Sequence, residues 1–186
     1  MIWESKHWKE GLARTDEFLR ECGASPVIED EEAQVRLEKE IMWAAYAIRK
    51  LQDSKKLSES VIRSQIFAQR CPSKSKHVNH MNSHKLHERF DFEETNQHTF
   101  SLRRFCNELI HSWIFATDHN DAGELEAILI ASDNHRNKCV FRVELDEITK
   151  TIEAVSNDWP NTTAMTRDPK TGDWNVFNYC RKTVDD

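Results

Sequence analysis

Apolar residues recur every three or four positions in four segments of the first 118 residues. The clearest pattern lies between residues 31 and 53, where strong helix-forming residues also fill the polar positions. Its apolar positions are Val35, Leu37, Ile41, Met42, Ala45, Ile48 and Leu51. A similar pattern over residues 3–22 stops at Gly23 and Pro26, two residue types that end helices. Because each such helix has one apolar side, the pattern predicts that the helices pack together as a bundle.

Two further helices are predicted in the middle of the chain. Ser58 is suited to cap a helix that closes at Cys71-Pro72, because the residue before a proline disfavours helical geometry. Residues 96–118 carry apolar side chains over more than half of a helix's circumference, which predicts a central helix of the bundle. The polar residues 72–91 predict a loop with at most one short turn of helix.

Beyond residue 118 the pattern becomes that of strands. Two runs rich in β-branched and apolar residues, 125–132 and 138–145, flank a polar loop and predict a β-hairpin. A short helix is predicted to begin at Asp146, and residues 174–179 predict a last strand.

The length of 186 residues is within the range of one domain, and the low counts of glycine and proline, four each, are typical of helix-rich proteins. Together with the helical spacing, they predict a mostly α fold. We expect a helical bundle in residues 1–118. Residues 119–186 are expected to add a small C-terminal β-hairpin appendage, a short helix and an irregular tail, packed on the same domain.

The formal net charge of −6 argues against a protein whose whole surface attracts nucleic acid. The charge is uneven, because residues 63–89 contain six basic residues and one acid, Glu88. Any contact of this region with RNA is therefore expected to be local. The residues predicted to bind RNA here are Lys74, Lys76, Lys85 and Arg89.

Cysteine usage and hydropathy bear on the compartment. The five cysteines are scattered and form no C-x-x-C pair, so neither a disulfide framework nor a zinc ribbon is predicted. No apolar run approaches the ~18 residues that a membrane helix needs, and the first residues lack a signal-peptide pattern. We therefore expect a cytoplasmic protein without a membrane segment, and the sequence indicates no cofactor.

One group of polar residues interrupts the most apolar of these segments. Residues three, four and seven apart share a side of a helix, so Arg104, Asn107 and His111 are predicted to form one polar stripe. Burial of such groups without partners costs free energy, so the stripe is expected to line a cleft or an interface.

Residues 101–112, with the sequence SLRRFCNELIHS, resemble the signature of the HEPN superfamily, in which an Arg and a His lie four to six residues apart on a late helix of a helical bundle. Here Arg104 and His111 have six residues between them, and Phe105 stands where the family usually has a polar residue. Many members are metal-independent endoribonucleases that dimerise to bring two motifs together. The resemblance therefore implies a homodimer that cleaves RNA without a metal, with Arg104, Asn107 and His111 as catalytic residues.

The residue types suit that chemistry. A base must take the proton of the 2'-hydroxyl, and His111 can exchange a proton at cellular pH because the ordinary pKa of an imidazole is ~6.5. A cation must stabilise charge on the phosphoryl oxygens, and the planar guanidinium of Arg104 can engage two of them. Asn107 would orient His111 or the phosphate.

Three other interpretations stay open. In the first, Arg104 pairs with Glu108 on its own helix and His111 is an ordinary interior histidine. In the second, the protein has no catalytic activity, and the polar helix face or the β-hairpin docks a partner chain. A metal-binding module could use the loop from His77 to His87, whose histidines are separated by three, four and three residues. These histidines are His77, His80, His84 and His87.

Overall fold

The computed structural model describes residues 2–26, 31–74 and 77–181. Its helices are α1 (Lys6–Cys22), α2 (Glu31–Asp53), α3 (Glu59–Ile62), α4 (Leu86–Arg89), α5 (Leu102–Ile110) and α6 (Leu145–Ser156). Its strands are β1 (Gln65–Pro72), β2 (Asn96–Ser101), β3 (Ser112–His119), β4 (Leu125–Ser132), β5 (Cys139–Glu144), β6 (Thr162–Arg167) and β7 (Trp174–Tyr179). The fold is mixed α/β, so the predicted mostly α bundle with a β-hairpin appendage is wrong.

A five-stranded antiparallel sheet forms the centre of the molecule. Its strand order is β2-β1-β5-β4-β3, and the last two strands of the chain, β6 and β7, pair separately as a ribbon. Strands from the first 118 residues therefore pair with strands from the rest of the chain: β3 lies beside β4, and β1 lies beside β5. The predicted hairpin of β4 and β5 is present, but it lies inside the sheet.

The helix predicted between Ser58 and Cys71-Pro72 is wrong, because its apolar residues fit the spacing of a strand as well as that of a helix. Ser58 does cap α3, where its side chain accepts a hydrogen bond from the N–H of Val61. The helix nevertheless ends after one turn, and β1 follows. In β1 the exposed Phe67 lies between the buried Ile66 and Ala68, which is the alternation of a strand with one buried face.

The predicted central helix over residues 96–118 is divided into β2, α5 and β3. Only its middle third is helical, with buried Leu102, Phe105 and Leu109 on the core side. Each of these three elements has at most nine residues, which is too few for the spacing of apolar residues to distinguish it from part of one long helix. As a result α5 begins directly after one strand and ends directly before the next.

The two faces of the sheet are covered differently. Helices α1, α2, α5 and α6 pack on one face, which we call the helix face, around the main apolar core. The opposite face is partly covered by residues 77–92, through Val78, Leu86, Phe90 and Phe92. These residues form the predicted loop, in which α4 is the one short turn of helix.

Several elements agree with the sequence. The bounds of α2, β4 and β7 are those predicted, and α1 starts three residues later than expected. Of the described helices, none is both long enough and apolar enough to cross a membrane.

Candidate functional site

Arg104, Asn107 and His111 line a single cleft of about 650 Å³ on the helix face of the sheet. Arg104 and Asn107 belong to α5, whereas His111 is the residue that follows the last helical residue. The main-chain N–H of His111 still donates to the carbonyl of Asn107 at 3.0 Å, so the end of the helix holds it in place. The prediction that the three residues come together is confirmed, although they do not form one continuous helical stripe.

Other elements complete the cleft. Strand β2 and the turn from β4 to β5 face α5 across it. The further lining residues are His98, Phe100, Glu108, Ser132, Asp133, Asn134 and His135. Three histidines from three different parts of the chain therefore border the same space.

Glu108 and His135 form a carboxylate–imidazole pair at the bottom of the cleft. The Glu108 side chain is only 7% exposed, and its two oxygens lie 2.9 and 3.0 Å from Nδ1 of His135. The main-chain N–H of Ser132 donates to the same carboxylate at 2.6 Å. Because a carboxylate accepts hydrogen bonds, it fixes the ring with a hydrogen on Nδ1. Within the described chain, Nε2 of His135 has no hydrogen-bond partner.

His98 is a second imidazole in the cleft, and its ring packs against Phe100 and Phe141 at centroid distances of 4.5 and 4.7 Å. Burial lowers its pKa below the ordinary value, and the positive charge of His135, when protonated, and of nearby arginines lowers it further. Glu108 acts in the opposite direction with a smaller effect. His98 is therefore neutral at neutral pH and able to accept a proton.

Arg104 and His111 lie at the exposed edge of the cleft. Neither side chain has a hydrogen bond or an ion pair with any residue that the structure describes. Glu108 binds His135 and Ser132, so the alternative in which Arg104 pairs with Glu108 is wrong. The alternative of an interior histidine is also wrong, because His111 is exposed.

The basic residues predicted to bind RNA are not part of the cleft. Lys74 donates to the carbonyl of His87 at 3.1 Å, and Lys85 lies 3.7 Å from Glu88. Arg89 is half-buried in α4. Lys76 lies outside the described residues.

The histidines of the predicted metal-binding loop are spread apart by their neighbours. His80 packs against Trp113 and His87 against Phe92, at centroid distances of 4.9 and 4.8 Å. His77 and His84 are exposed. Among the described residues, no group of three or more histidines, cysteines or acids is arranged to hold a metal ion.

Sequence reasoning missed His98, Glu108 and His135. His98 lies in a segment predicted as helix, and Glu108 was considered only as a partner of Arg104. His135 could have been found, because it lies with Asp133 and Asn134 in a polar loop between two strongly predicted strands, and such loops often carry functional residues.

Comparisons of the chain with protein-family models, with curated proteins and with solved structures found no match. The helical bundle that the HEPN resemblance implies is not the fold of this chain. The resemblance itself stays a prediction, and it depends on the motif in residues 101–112, with Arg104, Asn107 and His111.

Proposed function

We propose that the cleft is the active site of a metal-independent endoribonuclease. The observation that carries the proposal is the convergence of three imidazoles and one guanidinium on a single cleft. These side chains belong to His98, His111, His135 and Arg104. RNA cleavage by internal transesterification needs a base, an acid and a cation near one phosphate. These four side chains supply all three.

In the proposed reaction, neutral His98 takes the proton of the 2'-hydroxyl as the 2'-oxygen attacks phosphorus. The bond from phosphorus to the 5'-oxygen breaks, and the leaving oxygen takes a proton from His135. The products are a 2',3'-cyclic phosphate and a 5'-hydroxyl. His111, assigned the role of base in the sequence analysis, is the alternative proton acceptor.

Glu108 supports the role of His135 as acid. A buried carboxylate on Nδ1 holds the ring orientation and compensates the charge of the imidazolium, as the third member of a catalytic triad does. Nε2 is then the atom that can give its proton to the leaving group. Arg104, which has no competing acid among the described residues, is assigned to the phosphoryl oxygens.

The proposal is tested by incubating RNA with the purified protein in EDTA. We expect cleavage to persist, and Arg104→Ala and His98→Ala each to reduce the rate by at least ~10²-fold. A loss of that size in His111→Ala and not in His98→Ala would make His111 the base. The double variant should lose less than the product of the two effects, because the residues act as one unit. Lys85→Ala, outside the cleft, is the control and should change the rate less than about twofold. Cleavage that vanishes in EDTA would contradict the proposal.

We keep the homodimer as a separate proposal. It was motivated by a polar stripe in need of an opposing wall, but the turn from β4 to β5 of the same chain provides such a wall. We therefore expect a dimer to leave the cleft complete in each protomer. Sedimentation at micromolar concentration tests the oligomeric state, and a monomer that cleaves RNA would remove dimerisation from the mechanism.

A further inference from the structure

Arg49 contacts the cleft from behind, through Asn107. It lies in α2 and does not line the cleft, but its Nε donates to Oδ1 of Asn107 at 3.1 Å. Arg49 is itself held by an ion pair with Asp53, one helical turn further on. Asp53 also accepts a hydrogen bond from Arg103 at 3.3 Å. The Asp53 carboxylate, itself held by Arg103, therefore fixes the guanidinium that contacts Asn107.

This contact determines which end of the amide faces the cleft. An amide has one oxygen that accepts and one NH₂ group that donates, whereas a guanidinium only donates. The opposite amide orientation would place two donors against each other. Oδ1 of Asn107 therefore faces Arg49, and Nδ2, which has no partner in the described part of the chain, is the polar atom left to the cleft.

The two walls of the cleft consequently differ in chemistry. The α5 wall presents donors, from Nδ2 of Asn107 and from the guanidinium of Arg104. The opposite wall presents His135 and the carboxylate of Asp133, which is 70% exposed and pairs with Arg136 at 3.0 Å. An anion with several acceptor oxygens can therefore accept hydrogen bonds from two neighbouring donors on the α5 wall.

We infer that Arg104 and Asn107 form a subsite for one phosphodiester of single-stranded RNA, and that Arg49 is a positioning residue which fixes Asn107 as a donor. The inference rests on the proposed function for the identity of the polymer. The subsite itself is defined by binding, which can be measured without cleavage.

The probe is a short single-stranded 2'-deoxy oligonucleotide, which lacks the attacking 2'-oxygen. The key variant is Asn107→Asp, because a carboxylate keeps the bond to Arg49 but replaces the donor that faces the cleft with a negatively charged acceptor. We expect its Kd to rise at least ~10-fold. Asn134→Asp adds the same charge to the opposite wall and is the matched control, with an expected rise of less than about threefold.

Arg49 is tested with two variants of graded chemistry. Arg49→Met removes the donor and frees the amide to turn, so we expect Kd to rise about three- to tenfold. Arg49→Lys retains a donor and should recover part of the affinity. Thermal melting of both variants separates this effect from a loss of packing between α2 and α5.

The outcomes are distinguishable. Loss of affinity in Asn107→Asp but not in Asn134→Asp, with recovery in Arg49→Lys, supports the subsite even if the protein does not cleave RNA. Wild-type affinity in Asn107→Asp overturns it, as does a wild-type protein that binds no oligonucleotide. Arg49 variants that lose thermal stability with unchanged affinity overturn the positioning role. If Asn107→Asp cleaves RNA at the wild-type rate, the subsite is rejected and the proposed function is retained.

Discussion

Two clusters of polar side chains in this molecule differ in how far the chain satisfies their hydrogen bonds and charges. The first is the cleft. The second, which we call the Asp158 cluster, consists of Lys9, Ser58, Asp158 and Cys180. Lys9 is only 1% exposed, and its ammonium donates to the carbonyls of Asp158 and Lys56. The Asp158 carboxylate accepts from the N–H of Ser58 at 2.7 Å and from Sγ of Cys180 at 3.2 Å.

The clusters differ in whether the chain satisfies its own polar groups. In the Asp158 cluster, partners from distant parts of the sequence match each charged group, which is the usual condition of buried polar groups with a structural role. In the cleft, Arg104 and Nε2 of His135 have no partner among the described residues. Polar groups that converge on a concave surface without partners are available to a ligand. We therefore assign stability to the first cluster and function to the second.

The sharpest test of this difference is His135→Ala. Because it removes the proposed acid, we expect RNA cleavage to fall about 10³-fold. Chemical denaturation should show that the fold persists, since Glu108 keeps its hydrogen bond from Ser132. His84→Ala, an exposed histidine outside the cleft, is the matched control and should cleave at the wild-type rate. Equal cleavage rates for His135→Ala and the wild type would contradict the assignment of His135 as the acid.

The Asp158 cluster should respond in the opposite way. Asp158→Ala removes the buried acceptor of the Ser58 N–H and of Cys180, together with the negative charge that favours the Lys9 ammonium. We therefore expect the free energy of unfolding to fall by about 3 kcal/mol. Cleavage per folded molecule should not change. Asp146→Ala removes an acid that is 82% exposed and should cost less than about 0.5 kcal/mol in the same urea melts. If Asp158→Ala reduced cleavage without loss of stability, the Asp158 cluster would have a functional role, which contradicts the assignment.

The smallest effect concerns pH. Burial lowers the pKa of His98, and His135, Arg70 and Arg104 add to the shift, while Glu108 opposes it. His98 therefore loses its proton at a lower pH than an ordinary imidazole, whose pKa is ~6.5. If His98 is the base, the acidic limb of the rate profile should lie below that pH. Arg70→Gln removes one positive charge without touching the cleft lining, so the limb should move to higher pH. An unchanged limb would favour His111 as the base.

Part of this molecule could be predicted from its sequence. Elements with one dominant period, such as α2 and β4, have the bounds that the pattern indicates. The residues between them could not be assigned, because β1, β2 and α5 are too short for one period to exclude the other. The five-stranded sheet was missed because β1 and β2 were not recognised as strands. Its pairing also joins strands that are far apart in sequence, such as β1 and β5.

The candidate site shows the same division. Arg104, Asn107 and His111 could be grouped because they are close in sequence and interrupt an apolar segment. His98 and His135 join them only through the sheet, so nothing local in the sequence points to their proximity. The pairing of Glu108 with His135 spans 27 residues and requires the turn between β4 and β5.

The central claim, that the cleft cleaves RNA by internal transesterification, is tested most directly by the chemistry of the products. The substrate is a DNA oligonucleotide with a single ribonucleotide, incubated with the protein in EDTA. We predict one cut, directly after the ribonucleotide, with a 2',3'-cyclic phosphate on one product and a 5'-hydroxyl on the other, and no cut by His135→Ala. Cleavage of the all-DNA strand at the same rate, or no cleavage of either strand, would contradict the account.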